Sequence, residues 1–352
     1  TKEIDDAISL EKKVNNYKLW IHIASPASHI EYDSLIDKNA KKVISTVYLS
    51  TRNIYMFPEI LIDEIFSLKT NEIRRALSLG VVLDNEGSVS STEIVQSLIK
   101  PNYRLSYDEA DELIDYAPKE EEDLSIISKI LERRKLFRKK GGSKEILESY
   151  GKIILNNNVP DIKIVDPTLS RQLISEAMIL YGDLISDYTS ENKIYVPYRV
   201  QETNHIKNGS ITSSSDNKIF NNFLLKKSMG KTYYSSEPMR HNSLGLDCYL
   251  HATSPIRRYA DLLVHYQVNR FLNNKKLISK GEIDNNIYEI NQLTRQNLYI
   301  YREDQKILIN KWFEKSKLES YSVILMNWIN RYKKICIIYF IKYKFNFVCV
   351  LK

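Results

Sequence analysis

Short apolar runs come first along the chain. Leu19-Trp20-Ile21-His22-Ile23 reads as a strand closed by the turn residues Ala24-Ser25-Pro26, and Val43 to Tyr48 reads as a second, so this part predicts a mixed sheet. Further on the apolar spacing turns helical. Asp108 to Tyr116 predicts a short helix, and Glu121 to Lys140 a longer one with acids at its start, bases at its end and Gly141-Gly142 as its stop. That charge order suits a solvated helix; a stripe of bases for RNA is the competing reading. Asp166-Pro167 opens another helix, whose Leu173, Ala177, Leu180 and Leu184 make a buried stripe. Thr253 or Ser254 can cap a helix with Pro255 in its first turn and Ile256, Ala260, Leu263, Val264 and Phe271 on its inner face.

Gln201 to Asn217 is polar and without period, which predicts a surface loop. Asn285 to about Leu318 predicts a long supporting helix, too irregular for a heptad coiled coil. The end of the chain changes character: Ile335 to Ile341 is β-branched and aromatic, and Lys342 to Val348 alternates with period 2. These read as opening strands of a second, β-rich domain with an apolar edge. No internal repeat is visible.

Length and composition narrow the class. A chain of 352 residues with 43% hydrophobic and 27% charged residues, 10 Gly and 9 Pro excludes fibrous and disordered classes and accommodates an enzyme-sized core. A net charge of +7 permits a polyanionic partner without requiring one. Three cysteines at no metal-ligand spacing predict neither a disulfide framework nor a zinc site, which points to a reducing compartment. The start Thr-Lys-Glu, with no apolar signal region and no run of roughly 18 apolar residues, predicts a soluble fragment with no membrane association.

Two constellations can carry chemistry. Glu3-Ile4-Asp5-Asp6 sets three carboxylates within four residues, a cluster that suits a hard divalent cation; a solvated acidic chain end is the alternative. Arg257 and Arg258 beside the Pro255 helix put positive charge where a helix already presents free N–H groups. Either a phosphate or neighbouring acids would compensate it. Glu176, beside the stripe of its helix, reads by default as an exposed carboxylate.

Taken together, Glu3-Ile4-Asp5-Asp6-Ala7, Trp20-Ile21-His22-Ile23-Ala24, Thr46-Val47-Tyr48-Leu49, Met56-Phe57-Pro58-Glu59, Leu105-Ser106-Tyr107, Glu176-Ala177-Met178 and Leu244 through His265 resemble, in order, the RNB catalytic domain of the RNase II/RNase R family of 3′-to-5′ exoribonucleases. The resemblance implies an α/β fold: a curved mixed sheet flanked by helices with an RNA channel, over residues 1–318, and the beginning of a C-terminal OB-fold over 319–352. It implies Mg²⁺ or Mn²⁺ at Glu3, Asp5 and Asp6, with Asp5, Asp6, Glu176 and Arg257 catalytic and Arg257 on the scissile phosphate. Tyr48 and Tyr107 would stack on bases and Arg258 would join the RNA contacts. The implied substrate is single-stranded RNA, with no obligate protein partner, in the bacterial cytosol or an organelle stroma. A catalytically inactive RNA-binding fragment, or a metal phosphoesterase on other substrates, are the competing functions. Four positions depart from the family pattern: Glu3 stands where Asp is usual, Ser25 for Asp, Gly182 for Asn and Tyr266 for Arg, and a further family Asp would lie six positions before Glu3.

Overall fold

A computed structural model describes residues 2–14, 16–203, 217–316 and 320–351. Most of the polar stretch expected as a surface loop, and the expected domain boundary at 318/319, lie outside the described residues.

The first half runs β1 (Asp6–Lys12), β2 (Tyr17–Ala24), α1 (Leu35–Val43), β3 (Val47–Tyr48), β4 (Asn53–Ile54), α2 (Glu59–Leu61) with a following π-turn, β5 (Arg74–Leu83), β6 (Val89–Ile99), α3 (Tyr107–Tyr116) and α4 (Glu122–Lys140). The second half continues with β7 (Tyr150–Asn156), β8 (Val159–Val165), α5 (Leu169–Glu191), β9 (Tyr198–Thr203), α6 (Lys218–Ser228), β10 (Met229–Ser235), α7 (Tyr259–Leu272), α8 (Lys280–Lys315), β11 (Val323–Asn330), β12 (Ile335–Phe340) and β13 (Phe345–Val350).

The α/β architecture is as expected, with one refinement. The main sheet, ordered β1-β2-β5-β6, is antiparallel in every pairing rather than mixed. Its outer pairs are hairpins with short connections, which only antiparallel strands permit. The apolar segment from Val43 also divides differently. Ser34 caps α1 by accepting from Asp37 N, the helix runs on through Val43, and only Val47–Tyr48 is extended. Ser106 and Glu109 form a reciprocal capping box on α3, as do Ser279 and Glu282 on α8.

Two apolar cores flank the sheet and the helices behind it. Leu19, Ile21 and Ile23 of β2 and Leu77, Leu79 and Val81 of β5 pack with Leu131 of α4 and Leu173, Ala177 and Leu180 of α5. The stripe expected on α5 is therefore its buried face. A second core joins Ala40 of α1, Phe57 and Phe66, Ile256 with Ala260 and Leu263 of α7, and Ile283, Ile287 and Ile290 of α8. Burying such side chains contributes roughly 1.5–3 kcal/mol each, which holds α7 against the strand ends where the acidic segment begins. The last three strands form a separate sheet, β11-β12-β13, whose inner face packs on Phe313 at the end of α8.

Candidate active site

The acidic segment and the α7 entry meet at the end of the β1–β2 ladder. Asp6 pairs in register with Ile23, and Ala24 N donates to the Asp5 carbonyl at 2.8 Å. The buried Asp5 carboxylate then accepts from Ile256 N at 3.2 Å and from Arg257 Nε at 2.9 Å. Residues 251 positions apart in the chain thus share one carboxylate.

The entry to α7 differs from the expected N-terminus. Pro255 to Arg257 form a turn in which Arg257 N and Arg258 N both donate to the Ser254 carbonyl, at 3.1 and 2.9 Å. Arg258 is the N-cap, extended at φ −136° and ψ 123°, and it bridges to Ser45 before the helix starts at Tyr259. An extended residue cannot lie in a helical first turn, so both arginines precede the helix. Their charge is compensated by protein acids: Arg257 by Asp5, and Arg258 by Asp261, whose Oδ2 lies 2.7 Å from the guanidinium and accepts from Ser254 N at 2.8 Å. Two of Arg257's three nitrogens are held, Nε by Asp5 and Nη2 by Ser254 Oγ at 2.9 Å, and the side chain remains 40% exposed. Its Nη1 has no hydrogen-bond partner among the described residues.

Glu3 takes different partners. Its carboxylate accepts from Thr46 Oγ1 at 2.8 Å and from the Tyr48 hydroxyl, and Thr46 Oγ1 in turn accepts from Met56 N at 3.2 Å. The bridge from Ser45 to Arg258 brings Thr46 and Tyr48 to this position, with Thr46 N donating to the Arg257 carbonyl at 3.0 Å. The structure brings Glu3, Asp5, Asp6, Tyr48, Arg257 and Arg258 into one neighbourhood.

Burial governs the electrostatics. It pushes the Asp5 carboxyl up to about 7, although the Arg257 guanidinium and the Ile256 N–H pull the other way, and it raises Asp6 as well. Tyr48 is raised by burial and by the Glu3 carboxylate that its hydroxyl bonds, so it stays a neutral donor. Asp5 and Asp6 fit a divalent cation: two carboxyls, neighbours in sequence and held above their usual range, gain from added positive charge, and the Asp6 carboxylate has no hydrogen bond or ion pair among the described residues. Glu3 fits less well, because both its oxygens are already bonded to protein donors. Among the described residues no three His, Cys, Asp or Glu side chains converge on one point.

Glu176 and Tyr107 lie elsewhere. Glu176 is buried, not exposed, and forms a two-bond fork with Arg138, at 2.9 Å from Nε and 2.6 Å from Nη2. Arg138 Nη1 also donates to the Leu244 carbonyl at 2.8 Å, so the pair fixes the turn that leads into the Leu246–His265 segment. One turn back, Arg134 is buried against Asp183 at 2.6 Å. The basic end of α4 is therefore partly interior, which corrects the solvated-helix reading. The signal that could have shown this is the match of Arg134 and Arg138, one turn apart on α4, with Asp183 and Glu176 on the buried helix α5. Tyr107, 40% exposed at the start of α3, lies under the Arg171 guanidinium at 4.0 Å. Among the described residues it shares no bond or ring contact with the acidic group. Thr46, Ser254, Asp261 and Arg138 were not expected as site residues; hydroxyls and paired acids carry no spacing signal of their own.

A family model described as the RNB domain matches residues 1–274. An uncharacterized ribonuclease of Synechocystis is 31% identical over 333 residues, which are 94% of this chain and 50% of that protein. The chloroplastic/mitochondrial ribonuclease II of Arabidopsis thaliana is 32% identical over 278 residues, 77% of this chain and 34% of that protein. The chain thus spans half or less of the length of these relatives. The structure of Mycoplasma genitalium RNase R in complex with ribose-methylated single-stranded RNA superposes with a TM-score of 0.89 at 22% identity, covering 98% of this chain and 61% of that one.

Proposed function

The chain belongs to the RNB-domain family, the family of ribonucleases II and R, and from that premise we propose that it is the catalytic part of a 3′-to-5′ exoribonuclease that hydrolyses single-stranded RNA processively to nucleoside 5′-monophosphates. The observation that carries this reading is the pairing of Arg257 with Asp5 at 2.9 Å beside Asp6. It sets a fixed cation, with a free edge, next to two carboxylates suited to a divalent ion, the arrangement that phosphodiester hydrolysis needs. Residues 1–318 form the catalytic unit in this reading, and 319–352 begin an OB-fold for RNA. Its setting is the cytosol or an organelle stroma; no helix among the described residues is long and apolar enough to cross a membrane.

The roles follow from the contacts. Asp5 and Asp6 would hold Mg²⁺, or Mn²⁺, which when bound activates water and offsets phosphate charge. Asp5 also orients Arg257, which receives the phosphate through its free edge, a planar fork that lysine could not reproduce. Glu3 and Thr46 fix the Tyr48 phenol so that its ring offers a stacking face to a base of any identity. Arg258, 31% exposed, lends charge to the same site while Asp261 fixes its direction. Tyr107, exposed and backed by Arg171, stacks on a base away from the carboxylates. Glu176 acts through Arg138, as a positioning residue for the segment that carries Arg257.

The test is shortening of a 5′-labelled oligoribonucleotide in the presence of Mg²⁺. We expect a ladder ending in short products, its loss with EDTA, and a fall on the order of 10²–10³ in rate for Asp5→Asn. Label that stays at full length with the folded wild-type chain and Mg²⁺ would overturn the reading.

A further inference from the structure

The C-terminal sheet carries a feature that RNA hydrolysis does not use. Cys336 of β12 and Cys349 of β13 are register partners, with their sulfurs 3.7 Å apart. Both lie on the inner face of the sheet, among Ile338, Phe340 and Phe347; Cys336 is fully buried and Cys349 partly exposed. Directly opposed residues of an antiparallel pair have Cα atoms about 4.5–5.5 Å apart. That lies inside the span of roughly 4.4–6.8 Å over which disulfides form, so rotation of the side chains suffices and the strands need not move.

We propose that Cys336 and Cys349 are a dithiol oxidation site, converted to an intrachain disulfide by a small-molecule disulfide of the glutathione class. The partly exposed Cys349 reacts first. Its thiolate attacks one sulfur of the oxidant, forming a mixed disulfide and releasing one equivalent of thiol. The Cys336 thiolate then attacks the Cys349 sulfur, forming the Cys336–Cys349 bond and releasing the second. Two electrons pass from the protein to the oxidant, and the two protein thiol protons leave on the two released thiols. Burial, reinforced by the neighbouring Cys336 thiol, holds Cys349 up to about 11, so the reaction is slow near neutrality and faster in alkali. The third cysteine serves as an internal control. Cys248 is bonded to Ser186 at 3.1 Å and Asp187 at 3.2 Å, and burial pushes its thiol up to about 12.

Closing this bond would pin the turn between β12 and β13 and tie together the inner face that packs on Phe313. The reduced full chain is incubated with graded glutathione disulfide, quenched in acid, unfolded, alkylated and weighed. The expected product is a monomer lighter by two hydrogens, with one alkylated cysteine, Cys248, and a cross-linked peptide pair containing Cys336 and Cys349. Backbone hydrogen exchange in 335–350 should slow about tenfold on oxidation. Cys248→Ser should leave the cross-link intact, and Cys349→Ser, checked for folding by circular dichroism, should abolish it. Three alkylated cysteines at every oxidant ratio, a mixed disulfide persisting on Cys349, or a disulfide dimer would each overturn the proposal. None of these readouts depends on nuclease activity.

Discussion

Asp5 shows how much one side chain's surroundings decide. Its partner is an arginine half exposed to solvent, its other oxygen takes a backbone N–H, and burial still outweighs both, leaving the carboxyl high. The opposite case is His265, fully buried on α7, whose Nε2 donates to the Ala252 carbonyl at 2.7 Å. Burial lowers its pKa to about 4, below the ordinary value of 6.5. The folded state therefore holds a neutral ring where the unfolded chain would take up a proton. Its contribution to stability is complete above pH 6.5 and is lost as pH falls towards 4, at up to about 1.4 kcal/mol per pH unit. Thermal melts from pH 7.5 down to 4.5 should show a falling midpoint, and His265→Gln should flatten that slope even though it lowers the midpoint itself.

At the scale of elements, α4 and α5 are joined by two buried ion pairs rather than by apolar packing alone. Removing one partner leaves the other charge buried, so Glu176→Ala should cost about 3–5 kcal/mol in urea denaturation, more than an ordinary surface change. Replacing both members, Arg138→Met with Glu176→Leu, should recover part of that loss. Gly182, on the same helix, explains one departure from the family pattern. A Cβ there would lie 2.4 Å from the Leu250 carbonyl oxygen and 2.5 Å from the Tyr249 ring, so only glycine lets the Tyr249–Leu250 segment approach α5 this closely. Gly182→Ala should therefore destabilise by about 1–3 kcal/mol, read from the same denaturation curves. The helical stripe of α5 was legible because period 3.6 persists over many residues, whereas of α8 only the helix itself was, since Leu298 and Ile307 of its irregular apolar pattern are exposed. Strands β5 and β6 were not, since β5 is buried on both faces from Ala76 to Val81 with Ser78 and Gly80 interrupting its apolar residues, and β6 is largely polar.

In the whole molecule, the sheet β11-β12-β13 is anchored by aromatic contacts at the end of α8. Trp312 and Phe313 meet Tyr321, Tyr343, Phe340 and Phe347, with ring centroids 4.7 Å apart for Trp312 and Tyr343. Deleting 320–351 should expose both rings, lowering stability by about 3 kcal/mol, shifting tryptophan fluorescence to the red and promoting association.

By itself the sequence determined the helical stripes, the β-rich end, the identity of the acids and arginines, and their order along the chain. These are local quantities, set by periodicity and side-chain chemistry. Only the tertiary structure decided which charges meet. It paired Asp5 with Arg257, turned Glu3 to Tyr48, hid Glu176 behind Arg138, and set two cysteines 3.7 Å apart. Such pairings depend on strand register and on where helices dock, and a buried charge is stable only where the fold supplies its partner.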